Sequence, residues 1–338
     1  MAITIKDVAK MSEVSISTVS RVINDSKPVS PEARRRVLNA IDELGYKPNE
    51  IARSLVTKKS NVMGIIVDDI GSSYVAQIIR GVEEVGRMYN YDLLLLSTYG
   101  DKGSELRYAQ LLMQKQVAGI IVVSEVLNME IIEYLDETKI PFVYLNKYYN
   151  VLESPTVAID NYDASKKVME YLIDGGHRKI AYAAQEKDIA ITIEKQKIEA
   201  YKEWMDNINE NPIVLTVDGH SISTGYQLGK KVKELIEKEQ VTAIYCCEDE
   251  IALGLINYLY DHSIKVPDDI SIVGYGDISL ASVYRPKLTT IKEPYYDIGA
   301  VSIRKILKQL QGEKLEKQTT VLPVQLIIRD SSDIINDI

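Results

Sequence analysis

The chain has 338 residues, a net charge of −9, one Trp, one Phe and 22 Tyr. That length supports two or three domains whose cores stand without staples. Its two cysteines, Cys246 and Cys247, are adjacent and so would point to opposite faces of a strand, which excludes a Cys-based zinc site and a disulfide framework. No run of about 18 apolar residues marks a membrane span, and the N-terminus lacks an apolar signal core, so a cytoplasmic protein without membrane contact is expected. Charge is placed unevenly. Residues 1–60 hold eleven Lys and Arg against seven Asp and Glu, a balance of +4, while the remaining 29 against 42 give −13. A basic head on an acidic body suits a chain that meets phosphate at one end.

The first stretch, TIKDVAKMSEVSISTVSRVIN at 4–24, predicts two short helices broken near 12–15. Thr4 caps the first, its hydroxyl toward an orphan N–H, and Asp7 three residues on fits a capping box. Val8, Ala9 and Val14 are the apolar residues of that helix. The second runs from about Ser17 to Asn24. Val19, Val22 and Ile23 share one side; Ser17, Ser20, Arg21 and Asn24 share the other. The polar side carries hydrogen-bond donors and one guanidinium able to fork onto guanine O6 and N7 in a major groove. Two short helices with a tight turn suit a helix-turn-helix. On spacing alone they suit an amphipathic pair with a solvated face equally well. A third helix is predicted over 30–44, with Ser30 as N-cap, Pro31 at its first position and Gly45 at its end. Val37, Leu38, Ile41 and Leu44 form its expected buried stripe, with Arg34–Arg36 solvated. Residues 48–55 predict one more helix of about two turns, too short to hold alone in water.

From 62 onward short apolar runs alternate with helical ones. VMGIIV precedes a helix near 74–89, LLLLST one at 104–115, and VAGIIVVS one at 128–137, before FVYLN. After a crossing near 157–162 the pattern resumes: a helix at 163–174, KIAYAAQ, a helix at 192–207, PIVLTV, a helix at 223–238, TAIYCCE, a helix at 249–261 and ISIVGYG. A second crossing, LTTIKEP at 288–294, leads to a helix at 296–310 and strands near 319–328. This repetition predicts parallel sheets buried on both faces. In the helix 296–310, Ile303, Ile306, Leu307 and Leu310 define a buried side. Asp297, Val301, Arg304 and Lys308 fall on the other. Arg304 and Lys308, one turn apart, can converge on one phosphate, although by composition the stripe also reads as a solvated face.

Catalytic motifs are missing: there is no HExxH, GxSxG, Walker A or GxGxxG, so neither an enzyme nor a cofactor is expected. His177 is read as structural at a helix-to-strand corner. Glu248, Asp249 and Glu250 stand at a strand end where open sheets bind ligands. Helix capping and first-turn acids are the preferred reading of that trio.

The stretches 4–24 and VSPEARRRVLNAIDELGYKPNEIARSLV at 29–56, and then nearly the whole chain, resemble the LacI/GalR family of bacterial transcription repressors. The resemblance implies an α/β protein: a two-lobed periplasmic-binding-protein-like core of doubly wound parallel sheets behind an N-terminal all-α helix-turn-helix domain. It implies a head at 1–47, a hinge helix and linker at 48–61, one lobe from 62–160 with 293–322, and another from 161–292 with 323–338. It implies a homodimer, nucleoid-associated, on a pseudo-palindromic operator in double-stranded DNA. Ile16, Ser17, Thr18, Ser20, Arg21, Asn24 and Tyr46 would read that DNA from the head, and Asn49, Ala52, Arg53 and Leu55 from the hinge. Leu55 would wedge between base pairs in the minor groove, bending the duplex.

The cleft between the lobes binds effectors in that family. Relatives grip the ligand with an Arg in a pattern like RxxGY and an Asp in GFD or GYD; here Lys197 and Gly276 stand at those places. Lys cannot reproduce the planar fork of Arg. Ser72, Ser73 and Tyr74 at a helix start, with Lys197 and Asp277, are the candidate cleft residues, and a sugar or sugar phosphate the candidate ligand. VYRPKLTTIKEPYYDIGAVSIRKILKQL at 283–310, MYNY at 88–91 and the Lys-bearing KIEAY resemble the Gram-positive catabolite-control branch of the family. Its corepressor is the phosphocarrier HPr phosphorylated on a serine. The resemblance places Arg304 and Lys308 at the phosphoserine, Tyr296, Asp297 and Val301 beside it, and Asp69 on a facing segment. Gly276 departs even from that branch. The expectation is a repressor of carbon metabolism with this corepressor. Alternatives are a repressor released by a sugar and a cytoplasmic sugar-binding module without DNA function.

Overall fold

The computed structural model describes residues 3–24, 27–46, 60–149, 154–186, 192–315 and 318–335. The chain forms two compact units, 1–60 and 61–338. In the first, α1 (Ile5–Met11), α2 (Ile16–Asn24) and α3 (Pro31–Leu44) close around Val8, Val19, Val22, Val37 and Ala40. The Asp7 carboxylate accepts from the Thr4 N–H at 2.8 Å. The expected Thr4–Asp7 capping box is present, and the Thr4 hydroxyl also donates to the same carboxylate at 2.7 Å. The bonds from Thr4 hold the Asp7 carboxyl below its ordinary range. Helix α2 starts one residue early because Ser15 caps it, its hydroxyl accepting from the Thr18 N–H at 3.2 Å. Helix α3 is bounded as predicted, by Ser30 at one end and Gly45 in the left-handed conformation (φ 60) at the other. Leu38 is a correction: it is 49% exposed, and Ala40 takes its place in the core. At about 100° per residue, Ala40, Leu44, Val37 and Ile41 fill one narrow arc and Leu38 lies outside it. The expected hinge helix, with Asn49, Ala52, Arg53 and Leu55, lies outside the described residues.

The second unit begins with β1 (Val62–Val67), α4 (Ser73–Met88), β2 (Asp92–Ser97), α5 (Lys102–Gln114), β3 (Gly119–Ser124), α6 (Met129–Thr138) and β4 (Phe142–Asn146). These strands form a parallel sheet in the order β2-β1-β3-β4. Successive residues of β1 serve opposite faces, as the pleat requires. Met63, Ile65 and Val67 pack with Ile78 and Val82 of α4; Ile66 packs with Leu112 of α5 and Leu135 of α6. The chain then runs through β5 (Thr156–Ile159) into α7 (Asn161–Asp174), β6 (Ile180–Gln185), α8 (Glu194–Asn207), β7 (Ile213–Val217), α9 (Ile222–Glu239), β8 (Ala243–Cys246), α10 (Asp249–Asp261) and β9 (Ser271–Gly276). A short α11 (Ser279–Val283), which periodicity did not predict, precedes β10 (Thr289–Lys292). Helix α12 (Tyr295–Leu310) returns to the first lobe, followed by β11 (Thr319–Leu322) and β12 (Gln325–Ile327).

The second sheet has the order β12-β10-β9-β8-β6-β7. It is parallel except for β12, which pairs antiparallel with β10 at the edge. The parallel sheet expected from the βαβ repetition is present, and an antiparallel edge strand is a common addition to such sheets. Strands β5 and β11 pair with each other, parallel, at the crossing between the lobes. His177 is structural as read: buried, its Nδ1 lies 2.9 Å from Thr242 Oγ1 and its Nε2 3.0 Å from the Asp333 carbonyl. Cys246 and Cys247 are both free and buried.

Helices α4 and α12 lie side by side in the same direction. Tyr74 meets Tyr295 at one end, and Gly86 faces Ile303 toward the other. Glycines let the backbones approach this closely: a Cβ on Gly299 would sit 2.1 Å from the Ile78 carbonyl oxygen. Ile303, Ile306 and Leu307 are buried as predicted. Leu310 is not; the last residue of α12, it is 37% exposed.

Candidate DNA-reading face and inter-lobe cleft

Helix α2 puts Val19 and Val22 into the core of the first unit, which turns Ser17 and Arg21 to solvent and leaves Thr18 and Ser20 half-buried. Ile16 beside them is 46% exposed. Ser17 and Thr18 hydroxyls lie 2.7 and 2.9 Å from the Ser15 hydroxyl. Tyr46 packs half-buried against the core behind α3. Asn24 closes α2; its side chain lies outside the described residues, as do all four hinge positions. The face therefore presents hydroxyls and one guanidinium on a rigid helix, the chemistry of base-edge and phosphate contact.

The second site lies where the C-terminal ends of the strands of the two lobes converge, at the switch points of both sheets. A chamber of about 310 Å³ opens there, lined by Tyr74, Tyr148, Tyr275, Glu250 and Glu293 among others. A second, of about 220 Å³, is lined by Glu125, Gln185, Glu194 and His220. Lys197, Tyr148 and Glu248 border both. Ser72, Ser73 and Tyr74, predicted at a helix start, do open α4 and line the first chamber. Lys197 is there too, buried; its Nζ donates to the Cys247 carbonyl at 3.0 Å, lies 4.0 Å from Glu194 and 3.7 Å from the centre of the Tyr275 ring.

Asp277 is a correction. It has φ 54 and its carboxylate pairs with the Arg329 guanidinium at 2.6 Å, away from the chamber that Gly276 and Ile278 line. Glu248 is another. It holds the N-cap place of α10 but makes no capping bond; its carboxylate instead lies 2.9 and 3.0 Å from His220 Nδ1. Burial pushes the Glu248 carboxyl up, and the His220 bond with Lys147 outweighs it, so the group sits below its ordinary range. His220 is raised in turn: burial lowers it, and the Glu248 bond more than compensates. Asp249, fully buried, accepts from Thr290 Oγ1 at 2.5 Å and the Ile278 N–H at 2.8 Å. Burial nevertheless pushes its carboxyl up to about 7.

Sequence reasoning did not single out Lys147, Tyr148, His220 or Glu293. Lys147 Nζ sits 4.0 Å from Glu125 and 4.6 and 4.9 Å from the centres of the Tyr74 and Tyr148 rings. Tyr148 stacks on His220 at 4.4 Å between centroids, joining the two lobes across the cleft. The only signal in sequence was position: all four lie at or beyond a strand end.

On the outer face of α12, Asp297, Arg304 and Lys308 are exposed and Val301 half-buried, the stripe expected from periodicity. Tyr296 is half-buried, and its hydroxyl donates to Glu84 at 2.7 Å. Asp69 lies ahead of α4, where its carboxylate accepts from the Gly71 N–H at 2.8 Å. Within one chain it is at the opposite end of the α4–α12 pair from Arg304, roughly 20 Å away by helical rise.

Residues 4–49 match the family of bacterial regulatory proteins named lacI, and residues 169–332 match the periplasmic binding protein-like domain. The chain is 36% identical to the HTH-type transcriptional regulator RegA of Clostridium saccharobutylicum, across 98% of this chain and 100% of that protein. It is 34% identical to catabolite control protein A of Priestia megaterium, across 98% and 100%. The crystal structure of the lac repressor dimer bound to operator and the anti-inducer ONPF matches with a TM-score of 0.82 at 25% identity, over 98% of this chain and 99% of that one. A helix-turn-helix head before a two-lobed binding-protein-like body defines a DNA-binding transcription regulator. The chain belongs to the LacI family.

Proposed function

We propose that the protein represses genes of carbon metabolism as a homodimer on a pseudo-palindromic operator, with Ser-phosphorylated HPr as corepressor. The head would be 1–47, the hinge 48–61, and the lobes 62–160 with 293–322 and 161–292 with 323–338. Ile16, Ser17, Thr18, Ser20, Arg21, Asn24 and Tyr46 would contact the operator, with Asn49, Ala52, Arg53 and Leu55 of the hinge.

One observation carries the corepressor. Arg304 and Lys308 stand exposed one turn apart on α12, and neither has an ion-pair partner among the described residues. Two such cations suit a phosphoserine dianion. Tyr296, Asp297 and Val301 would border the docked protein, and Asp69, remote within one chain, would serve only from the partner's side of a dimer. The resemblance to proteins named for catabolite control supports the reading. A corepressor tightens DNA binding only through its preference for the DNA-competent state.

The test is operator affinity by fluorescence anisotropy with and without phosphorylated HPr. A coupling of about 1–3 kcal/mol raises it roughly 5- to 150-fold. Arg304→Ala should abolish the gain with basal DNA binding intact, and Arg304→Lys should restore part, since the fork is lost. Equal affinity with and without the phosphoprotein, together with release by a sugar, would establish the alternative of an inducer-released repressor.

A further inference from the structure

Three cationic side chains border the cleft among the described residues, and each already faces an acid. Lys147 Nζ is 4.0 Å from Glu125, Lys197 Nζ is 4.0 Å from Glu194, and His220 Nδ1 is 2.9 Å from Glu248. Two carboxylates of the larger chamber remain, Glu250 and Glu293. Neither has a cation within ion-pair distance among the described residues. Among the described residues the Glu293 carboxylate accepts only from the Tyr295 hydroxyl, at 2.8 Å.

The tyrosines of the chamber already serve ammonium groups. Lys147 lies against the rings of Tyr74 and Tyr148, and Lys197 against that of Tyr275. Such contacts strengthen as the cation is desolvated. Lys147 also reports the local field. Burial alone would lower its ammonium, yet Glu248, Glu125, Glu250 and Glu293 together raise it. The start of α4 at Ser72 and Ser73 can donate to ligand oxygens, but a helix dipole offers only about half a positive charge.

We propose that the 310 Å³ chamber is a site for a small polar molecule bearing an ammonium group, held by Glu250 and Glu293 against the tyrosine rings. A phosphorylated sugar fits poorly: its dianion would meet Glu248, Glu250 and Glu293 with Lys147 and Lys197 already engaged. The site carries its own selectivity by charge, independent of the phosphoprotein reading of the α12 stripe.

The experiment is calorimetric titration of the full chain, without DNA or HPr, at about pH 6.5, where aliphatic amines are protonated. Glucosamine, glucose and glucose 6-phosphate form a trio of one shape and three charges; ethanolamine, choline and putrescine add ammonium groups on other frames. At least one ammonium probe should bind. It should bind roughly tenfold or more tightly than its neutral counterpart, a difference of about 1.4 kcal/mol, and more weakly as salt is raised. Glu250→Gln and Glu293→Gln keep side-chain shape and should each cost about tenfold, with unchanged melting curves. If Glu293→Gln fails to fold, Glu250→Gln decides, because Glu250 is only half-buried. Tighter binding of glucose 6-phosphate than glucosamine overturns the proposal. So does equal binding of the neutral sugar, unchanged affinity in the Gln variants, or silence from every ammonium probe at about 10 mM, where even weak sites fill.

Discussion

Replacing Gly299 by Ala tests how tightly α12 is seated against α4. The added methyl would lie 2.1 Å from the Ile78 carbonyl oxygen, 2.9 Å from its carbon and 3.1 Å from its Cα. All three are backbone atoms of α4, so no side chain can swing aside; the helices must part by more than an ångström. Ala in a helix interior gains up to about 1 kcal/mol over Gly. Overpacking costs about 1–3 kcal/mol, and a rigid partner puts this site at the upper end, for a net loss of about 2 kcal/mol. In a unit of this size that lowers the melting point by roughly 4–8 °C. The assay is urea unfolding followed by circular dichroism at fixed protein concentration, read as a shifted midpoint with unchanged slope. Gly103→Ala is the control: its methyl would meet only Asp101 Oδ1 at 3.5 Å, an ordinary contact. That variant should be neutral or stabilised by up to about 1 kcal/mol. Should Gly299→Ala match the unaltered chain, or both variants lose equally, the close approach of α4 and α12 is not what holds the lobe.

Two further outcomes follow from single side chains. Asp249 titrates near 3.8 when exposed and about 7 in the fold, where burial opposes its charge. Between those values the folded chain keeps a proton that the unfolded chain has released, so this contribution is fully present below the lower value and lost as pH rises through the upper. Asp249→Asn cannot ionise, and should flatten that decline by up to roughly 4 kcal/mol; urea midpoints at several pH values would show an unchanged slope if the reasoning fails. Arg21→Ala should weaken specific DNA binding by about 1–3 kcal/mol and relax preference at one base pair. A selection experiment returning the same sequence preference would remove Arg21 from base reading.

Helix and strand order was legible because apolar periodicity reports burial, and burial is what these elements share. The residues of α10 were placed to the boundary, since Glu248–Glu250 and Asp261 bracket one continuous apolar stretch. Leu38 departs from the buried stripe by its angle around α3, whereas Leu310 departs because periodicity does not say how far along a helix the packing partner extends. The cleft was legible only at its rim. Ser72–Tyr74 and Lys197 have local patterns, whereas Lys147, His220 and Glu293 come from three distant segments and meet only through topology. Asp277 shows the limit of motif transfer. Gly276 and Asp277 both adopt positive φ, and the turn they make sends the carboxylate to Arg329, 52 positions downstream.

The chain passes between the lobes three times: from β5 into α7, from β10 into α12, and from β11 into β12. A single tether would leave a hinged body free to swivel, slide and bend. Three tethers in parallel, two of them zipped together as β5 and β11, suppress the first two motions and leave bending. The lobes then have in effect one coordinate of relative movement. A molecule seated in the cleft acts on the lobes along that line, and a protein pressed on α12 is coupled to it to the extent that it too prefers one arrangement of the lobes over the other.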